Sequence, residues 1–525
     1  MQIHPKKPKL SRFREVYPIR LDLAAMAVYL VIVYSPALFV TPLGRDFEAF
    51  ATGGAVMPTV SRYIFQLFTG LFGANAYLYI LANVICLYGT MIALYFLTNK
   101  AVRGPGWLGI LAGSLYMANP VHTEAVLNLS GMQDLLPALI QLSALAIYVA
   151  NLREPSLWKY ITSIGLATLG TLGFDGAIAV PFAMVLAEIC LPDPPRKNRL
   201  RLIPAALLLA VGGAHVGRVI LAEGFDPIAR LRVMAFFLYP IGLLPKTVMD
   251  YRDSIFLQCS LGALLIATCA GLAYAVRHRA FYFGLIASGV ALVSTTGAIV
   301  DPYHMTGGGK VLVANALFMV GLQALFFRVM AHPKWKSQVV LGTSLLSVIF
   351  FVIQLRANLI WGQAGRYVQA FQQEIVIASE QVNGDPIGLL PDFRHYSGAP
   401  VALREAVAFD TIFSKKVPVV SVLPLDCDQV ADVRYRVTEW SDLGGVIEIT
   451  GTSLDRLTVY PYPLTKVGDT VTEAGVTMTV ESESPESVRI RISSNGAPLP
   501  RKLASLPFVE LPAPIPVGTQ PHLGK

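Results

Sequence analysis

Apolar residues along this chain come in long unbroken runs, most of them between twelve and twenty-two residues, separated by short polar breaks. A run of about twenty apolar residues is the length of a helix that crosses a bilayer. The pattern predicts spans near residues 22–41, 76–98, 107–119, 135–150, 160–173, 176–192, 202–222, 255–276, 280–299, 311–330 and 338–355. That makes about eleven transmembrane helices. Those beginning at Trp107 and Tyr160 are short for a crossing, so tilted or broken helices shift the count by one or two. Val233 to Leu244, with prolines at Pro240 and Pro245 and polar residues on both sides, reads instead as an interfacial or re-entrant helix. After Arg356 the rhythm changes. A helix-like stretch, VQAFQQEIVIASEQV, gives way to short alternating runs such as VRYRVTEW, VIEITGTS, VTMTVES and SVRIRISS, broken at Leu443-Gly444-Gly445 and Ser494-Asn495-Gly496. Period-two alternation marks half-buried antiparallel strands, here a small β-sandwich-like module. From Pro498 on, prolines accumulate and an extended or disordered tail is expected.

The expected architecture is therefore a polytopic α-helical membrane protein with a C-terminal exterior β-rich domain. Its parts are a basic tail (1–21), a transmembrane domain (22–355) with exterior loops at 42–75, 120–134, 223–254 and 300–310, the β-rich domain (356–497) and the tail (498–525). Composition agrees: 54% of residues are hydrophobic and 14% charged, with a mean hydropathy of +0.55. Lysine and arginine give the orientation, since basic residues are retained on the cytoplasmic side. The tail and alternate loops carry about nineteen, the opposite loops about seven. The N-terminus is thus expected in the cytoplasm and the C-terminal domain in the periplasm, with a bacterial inner membrane as the setting. Topogenic charge also accounts for the basic tail, so no nucleic-acid partner is inferred. Four of the five cysteines lie in or at the ends of spans, which argues against a disulfide-stapled exterior, and no zinc-site spacing occurs.

The densest chemistry lies in MANPVHTEAVLNLSGMQDLL, Met117 to Leu136. It places His122, Glu124 and Asp134 between two spans, at a membrane surface where ionisable groups mark functional sites by default. The plainer alternatives are a Glu124–His122 pair and an Asp134 that caps the following helix. The first exterior loop opens with Asp46, and Pro58 starts a segment whose Val60, Ile64, Leu67, Phe68 and Leu71 share one side, as in an interfacial helix. Lys246, Arg252 and Arg232 are cations placed to meet a lipid phosphate or to anchor the protein at headgroups. His304 and Lys310 flank Gly307 to Gly309, where backbone N–H groups and a positive charge meet the surface.

Read in order, Asp46, PTVSRYIFQLFTGLFGANAYLYILANVICL, NPVHTEAVLNLSGMQDLL and FLYPIGLLPKTVMDYRD resemble the GT-C transmembrane O-mannosyltransferases that carry TPR repeats in animals, and their bacterial relatives. The likeness covers most of residues 20–355 and not the C-terminal domain. Three departures stand out: Met132 replaces the arginine of a GRxD pattern, Phe174-Asp175 a Lys-Glu pair, and MTGGGKVLVAN an ERYLYLPS stretch. The resemblance implies a GT-C-like fold and a glycosyltransferase that moves a sugar from a polyprenyl-phosphate donor to an exported protein or glycan. Asp46 is then the base, with Glu124 and Asp134 completing the catalytic set. His122, Arg252, Lys246, His304 and Lys310 contact substrate; a divalent metal is possible, and no residues are assigned to one. The alternative is a non-catalytic GT-C-like scaffold subunit of an envelope assembly or export complex. A transporter is the third class considered; no buried ionisable run or inverted repeat supports it.

Overall fold

The computed structural model describes residues 19–510, apart from 173–177, 192–199, 224–226, 229–230, 232–254, 295–307, 381–386, 401–418, 428–432, 452–456, 460–466 and scattered shorter gaps. The chain divides into two units. One comprises Met1–Phe39 with Gly53–Leu359, the other Val40–Thr52 with Ile360–Lys525.

The first unit is helical. Its described elements are α1 (Ile19–Tyr34), α2 (Thr59–Phe72), α3 (Ala76–Val102), α4 (Trp107–Met117), α5 (Thr123–Leu127), α6 (Met132–Arg153), α7 (Leu157–Leu172), α8 (Ala179–Cys190), α9 (Ile203–Glu223), α10 (Ile255–Val276), α11 (Arg279–Ser294), α12 (Leu312–Met330) and α13 (Lys336–Glu380). A helix lies over each of the eleven apolar runs. Among the described residues, five stretches are long and apolar enough to cross a membrane: Leu21–Leu38, Ala76–Val102, Leu129–Arg153, Leu312–Met330 and Lys336–Ala378. The protein is thus an integral membrane protein. The short ones, such as α4 and α8, are eleven and twelve residues long. Val233 to Leu244 lies outside the described residues.

Small side chains let the helices approach where lipid offers no hydrophobic drive. A Cβ on Gly284 of α11 would fall 2.3 Å from the Gly321 nitrogen of α12, so the two backbones touch. A Cβ on Gly89 of α3 would meet Leu139 of α6 at 2.9 Å. Helix α2 agrees only in part with the expected interfacial helix. Ser61 and Phe65 are buried, whereas Tyr63, Leu67 and Leu71 stand exposed in a row at four-residue spacing. The outward stripe is therefore apolar, which suits headgroup-level lipid rather than water.

The second unit does not begin where the alternation begins. The stretch VQAFQQEIVIASEQV lies in the second unit and is helical as far as Glu380, where α13 ends. Thirteen strands follow among the described residues: β1 (Ile387–Leu390), β2 (Asp392–Tyr396), β3 (Ala399–Pro400), β4 (Val419–Ser421), β5 (Pro424–Cys427), β6 (Val433–Trp440), β7 (Gly444–Gly451), β8 (Leu457–Val459), β9 (Thr470–Glu473), β10 (Val476–Ser484), β11 (Ser487–Ser494), β12 (Lys502–Ser505) and β13 (Val509–Glu510). They form three sheets, ordered β12-β1-β4, β13-β6-β7-β11-β10-β9 and β3-β2-β5-β8. The six-stranded sheet holds the antiparallel hairpins that alternation foretold. Parallel pairs were not foreseen: β1 with β12 and β4, β2 with β5, and β13 with β6. Alternation reports which face of a strand is buried and says nothing about a partner far along the chain. For the same reason β12 and β13 lie in the segment expected as a tail. The core gathers Tyr435, Val437, Ile447, Ile449, Met478, Ile490 and Ile492 with Leu503 of β12. Trp440 belongs to the packing, its Nε1 donating to Pro500 O at 2.8 Å.

Candidate functional site

The polar loop after α4 folds into short turns, each closed by its own residues. Asn119 stays extended and its side chain accepts the Val121 N–H, starting the turn Pro120–His122. Helix α5 follows, then a turn over Leu129–Gly131, and α6 begins at Met132. The loop doubles back tightly enough that a Cβ on Gly131 would lie 1.9 Å from Ala125 O, which reserves that position for glycine. Asn83, fully buried on α3, ties the fold-back down: its Nδ2 donates to Val126 O at 3.2 Å and to Asn128 O at 2.6 Å.

A second polar chain holds the loop from the other side. Thr123 Oγ1 donates to Pro120 O at 2.7 Å and meets Gln354 Oε1 of α13 at 3.3 Å. Gln354 Nε2 donates to Asn358 Oδ1, and Asn358 Nδ2 to Val33 O of α1. Buried amides in apolar helices are costly unless paired, so this chain fixes α1, α13 and the loop to one another. Asn83, Asn315, Gln354 and Asn358 were not singled out from sequence. For Asn83, Asn315 and Gln354 the signal was present, since each is an amide within an apolar run; Asn358 lies just past the last one.

The structure places His122, Glu124 and Asp134 on this loop. His122 is fully buried; its ring lies 4.5 Å from that of Tyr116, and Nε2 approaches Asn315 Oδ1 of α12 at 3.3 Å. Burial pushes the imidazole down to about 3, only partly opposed by the Asn315 hydrogen bond, so at neutral pH it is an uncharged donor and acceptor. Its Nδ1, the Asn315 Nδ2 and the Tyr116 hydroxyl have no protein partner among the described residues. Glu124 is 5% exposed, with Asn128 Nδ2 at 3.5 Å, too long to weigh much. The sequence alternative of a Glu124–His122 pair does not appear among the described residues; His122 turns to Asn315 instead.

Asp134 sits in the first turn of α6, where a carboxylate suits the helix dipole. It also lies directly against Gly309: a Cβ there would fall 2.2 Å from Asp134 Oδ2 and 2.7 Å from Asp134 Cβ. Gly309 belongs to the turn Gly308–Val311 that leads into α12. Thus the glycine-rich segment and the polar loop, some 170 residues apart, meet at one place. The backbone of Lys310 lies in that turn; its side chain, together with His304, Lys246, Arg252 and Arg232, lies outside the described residues. Among the described residues, no group of three or more His, Cys, Asp or Glu is placed to hold a metal ion.

Asp46 lies in the segment Val40–Thr52 of the second unit, and it is fully buried. Leu43 N–H donates to its Oδ2 at 3.0 Å, while Asp46 N–H donates to Leu43 O at 3.0 Å. This reciprocal turn resembles the arrangement that closes helix starts.

Comparison with known proteins finds partial likenesses. No family model matches the chain. The protein O-mannosyl-transferase F38B6.6 of Caenorhabditis elegans is 30% identical over 155 residues, 29% of this chain and 21% of that protein. The protein O-mannosyl-transferase TMTC2 of Mus musculus is 33% identical over 87 residues, and that of Homo sapiens 32%, each match covering 17% of this chain and 10% of the relative. The chain therefore matches only about a tenth to a fifth of these relatives' length. Among solved structures, ArnT from Cupriavidus metallidurans bound to undecaprenyl phosphate gives a TM-score of 0.38 at 11% identity, over 90% of this chain and 97% of that one. The arabinofuranosyltransferase AftD from Mycobacteria gives 0.39 at 14%, over 78% and 32%. In sequence, over the matched stretches, the chain resembles the protein O-mannosyl-transferases.

Proposed function

We propose that the protein is a membrane glycosyltransferase that takes a sugar from a polyprenyl-phosphate donor and passes it to a hydroxyl of an exported protein or glycan. One observation carries this reading: two distant segments, Asn119–Asp134 and Gly308–Asn315, converge on buried His122 and Glu124 and on Asp134, between helices built for a bilayer. The likeness to O-mannosyl-transferases supports the reaction class and makes mannose the first sugar to try. In the reaction the acceptor oxygen bonds to the anomeric carbon as the bond from that carbon to the lipid phosphate breaks. A carboxylate takes the acceptor's proton, a role assigned to Asp46, and the lipid phosphate leaves as the anion. Glu124 and Asp134 shape the acceptor environment. Neutral His122 offers a hydrogen bond without adding charge. Lys310, His304, Lys246 and Arg252 are the cations proposed for the departing phosphate.

The test is transfer from polyprenyl-phosphate mannose to a serine- and threonine-rich peptide in proteoliposomes. Asp46→Asn and Glu124→Gln are each expected to lower transfer by about 10²-fold or more. Equal transfer by wild type and both variants would sink the assignment.

A second reading, the non-catalytic scaffold of an envelope or export assembly, is favoured by one feature: Asp46 Oδ2 is engaged by the Leu43 N–H, a structural use of the carboxylate. It requires a stable multiprotein complex whose function survives the combined loss of Asp46, Glu124 and Asp134.

A further inference from the structure

A groove of about 240 Å³ runs between α3 and α6, far from the polar loop, lined by Gly89, Ala93, Phe96, Ser143, Ala146 and Ala150 and closed at one end by Lys100. Its walls are mostly small or apolar, as a hydrocarbon chain requires. Its length decides which chain. From Gly89 to Lys100 is eleven residues of helix, about 16 Å at 1.5 Å per residue, or roughly half of a 30 Å hydrocarbon core. The groove is one leaflet deep.

The closed end is polar and positive. Lys100 Nζ lies 2.7 Å from Glu154 Oε1, and Lys159 Nζ lies 3.1 Å from Glu154 Oε2. Arg153 Nε donates to Lys100 O at 3.2 Å, and Arg103 follows three residues after Lys100. Two lysines thus share one carboxylate, with the Arg153 guanidinium on the Lys100 carbonyl, and both lysines remain about a third exposed. The surplus positive charge is not needed to satisfy Glu154. Beside it, Trp158 is 77% exposed and Leu157 71%, and Trp107, at the start of α4, is 36% exposed. Exposed tryptophans beside lysines mark the headgroup level. An apolar groove one leaflet deep that ends in surplus cations at that level matches an acidic phospholipid, its acyl chain in the groove and its phosphate at the rim.

We propose that the α3–α6 groove holds one acidic phospholipid, with an acyl chain against Gly89, Ala93, Ala146 and Ala150 and the headgroup phosphate at Lys100 and Lys159. The inference is independent of any transferase activity. A polyprenyl chain, longer and not confined to one leaflet, is the competing occupant that the test separates.

The full-length protein is reconstituted in nanodiscs of equal phosphatidylglycerol and phosphatidylcholine, released into mild detergent, and its retained lipid measured by native mass spectrometry. Wild type is expected to keep one phosphatidylglycerol in preference to phosphatidylcholine by at least fivefold. Lys100→Gln/Lys159→Gln is expected to abolish the preference. Ala150→Leu, which fills the groove and leaves the charges, is expected to reduce retention of either lipid at least threefold. Equal retention of the two lipids by wild type, or retention unchanged in both variants, overturns the proposal. So does a polyprenyl phosphate carried through from the expression host in that groove and lost in Ala150→Leu.

Discussion

Gly309→Ala tests whether the meeting of the polar loop with the glycine-rich turn is as tight as the structure has it. The new methyl carbon would sit 2.2 Å from Asp134 Oδ2, 2.4 Å from its Cγ and 2.7 Å from its Cβ. Ordinary contact begins near 3.4 Å, so the oxygen lies about 1.2 Å inside it. Turning the Asp134 side chain moves Oδ2 and Cγ but leaves Cβ, which the backbone of α6 fixes. A remaining overlap of roughly 0.7 Å must therefore move the turn or the helix, and overpacking of this kind costs about 1–3 kcal/mol. Asp134→Gly removes all three atoms. Its own cost, about 1 kcal/mol of helix propensity and a lost favourable charge, is the same whether or not the methyl is present on residue 309. The assay is a double-mutant cycle of unfolding in mixed detergent and SDS micelles. Gly309→Ala is expected to cost about 1–3 kcal/mol in the wild type and under about 0.5 kcal/mol in the Asp134→Gly background. Equal costs in the two backgrounds would show that the carboxylate is not packed on residue 309.

Three further outcomes follow from the same geometry. Asn83→Ala leaves Val126 O and Asn128 O without their donor and should destabilise the protein by about 1–3 kcal/mol, read by unfolding in the same micelles; a change below about 0.5 kcal/mol would contradict the tie. His122 has a folded pKa of about 3, below the ordinary 6.5, so its contribution is fully present above pH 6.5 and drains as pH falls toward 3. Between pH 7 and pH 5 the wild type should lose about 2 kcal/mol that His122→Gln does not lose, and parallel pH profiles would refute the burial argument. Gly131→Ala puts a methyl 1.9 Å from a backbone oxygen that cannot rotate away; monodisperse, natively folded Gly131→Ala protein on size-exclusion chromatography would disprove the fold-back.

The positions of the helices could be read from the chain because hydrophobic length is a local property, and every apolar run carries a helix. The shortness of α4 was legible as well; that of α8 was not, since the apolar run 176–192 is longer than its twelve-residue helix. In the β unit, hairpins such as β6–β7 were visible through alternation and the Leu443-Gly444-Gly445 turn signal. The pairing of Ile387 with Lys502 was not, because nothing near either residue encodes a partner more than a hundred positions away. The site shows the same division. His122, Glu124 and Asp134 stand out as polar residues in an apolar text, and the structure sets them on one loop. Asn315 was passed over because its partner His122 is 193 residues distant. Asp46 was legible as a lone acid after the first span, but its turn with Leu43 was not.

The three-stranded sheet β12-β1-β4 also sets a timetable for the chain. Strand β1 leaves the ribosome early in the second unit, and its parallel neighbour β12 follows 115 residues later. Several helices of the first unit meet a partner soon after they are made, as α6 does in α7 and α11 in α12, whereas β1 must wait with one edge open. An unpaired edge of Ile387–Leu390 is a site for chaperones or for another copy of the chain. The second unit also draws on Val40–Thr52, made before most of the helices. A ribosome stalled before Lys502 would thus release a membrane protein whose helical unit is finished and whose other half has no closing strand, and proteolysis would find it there.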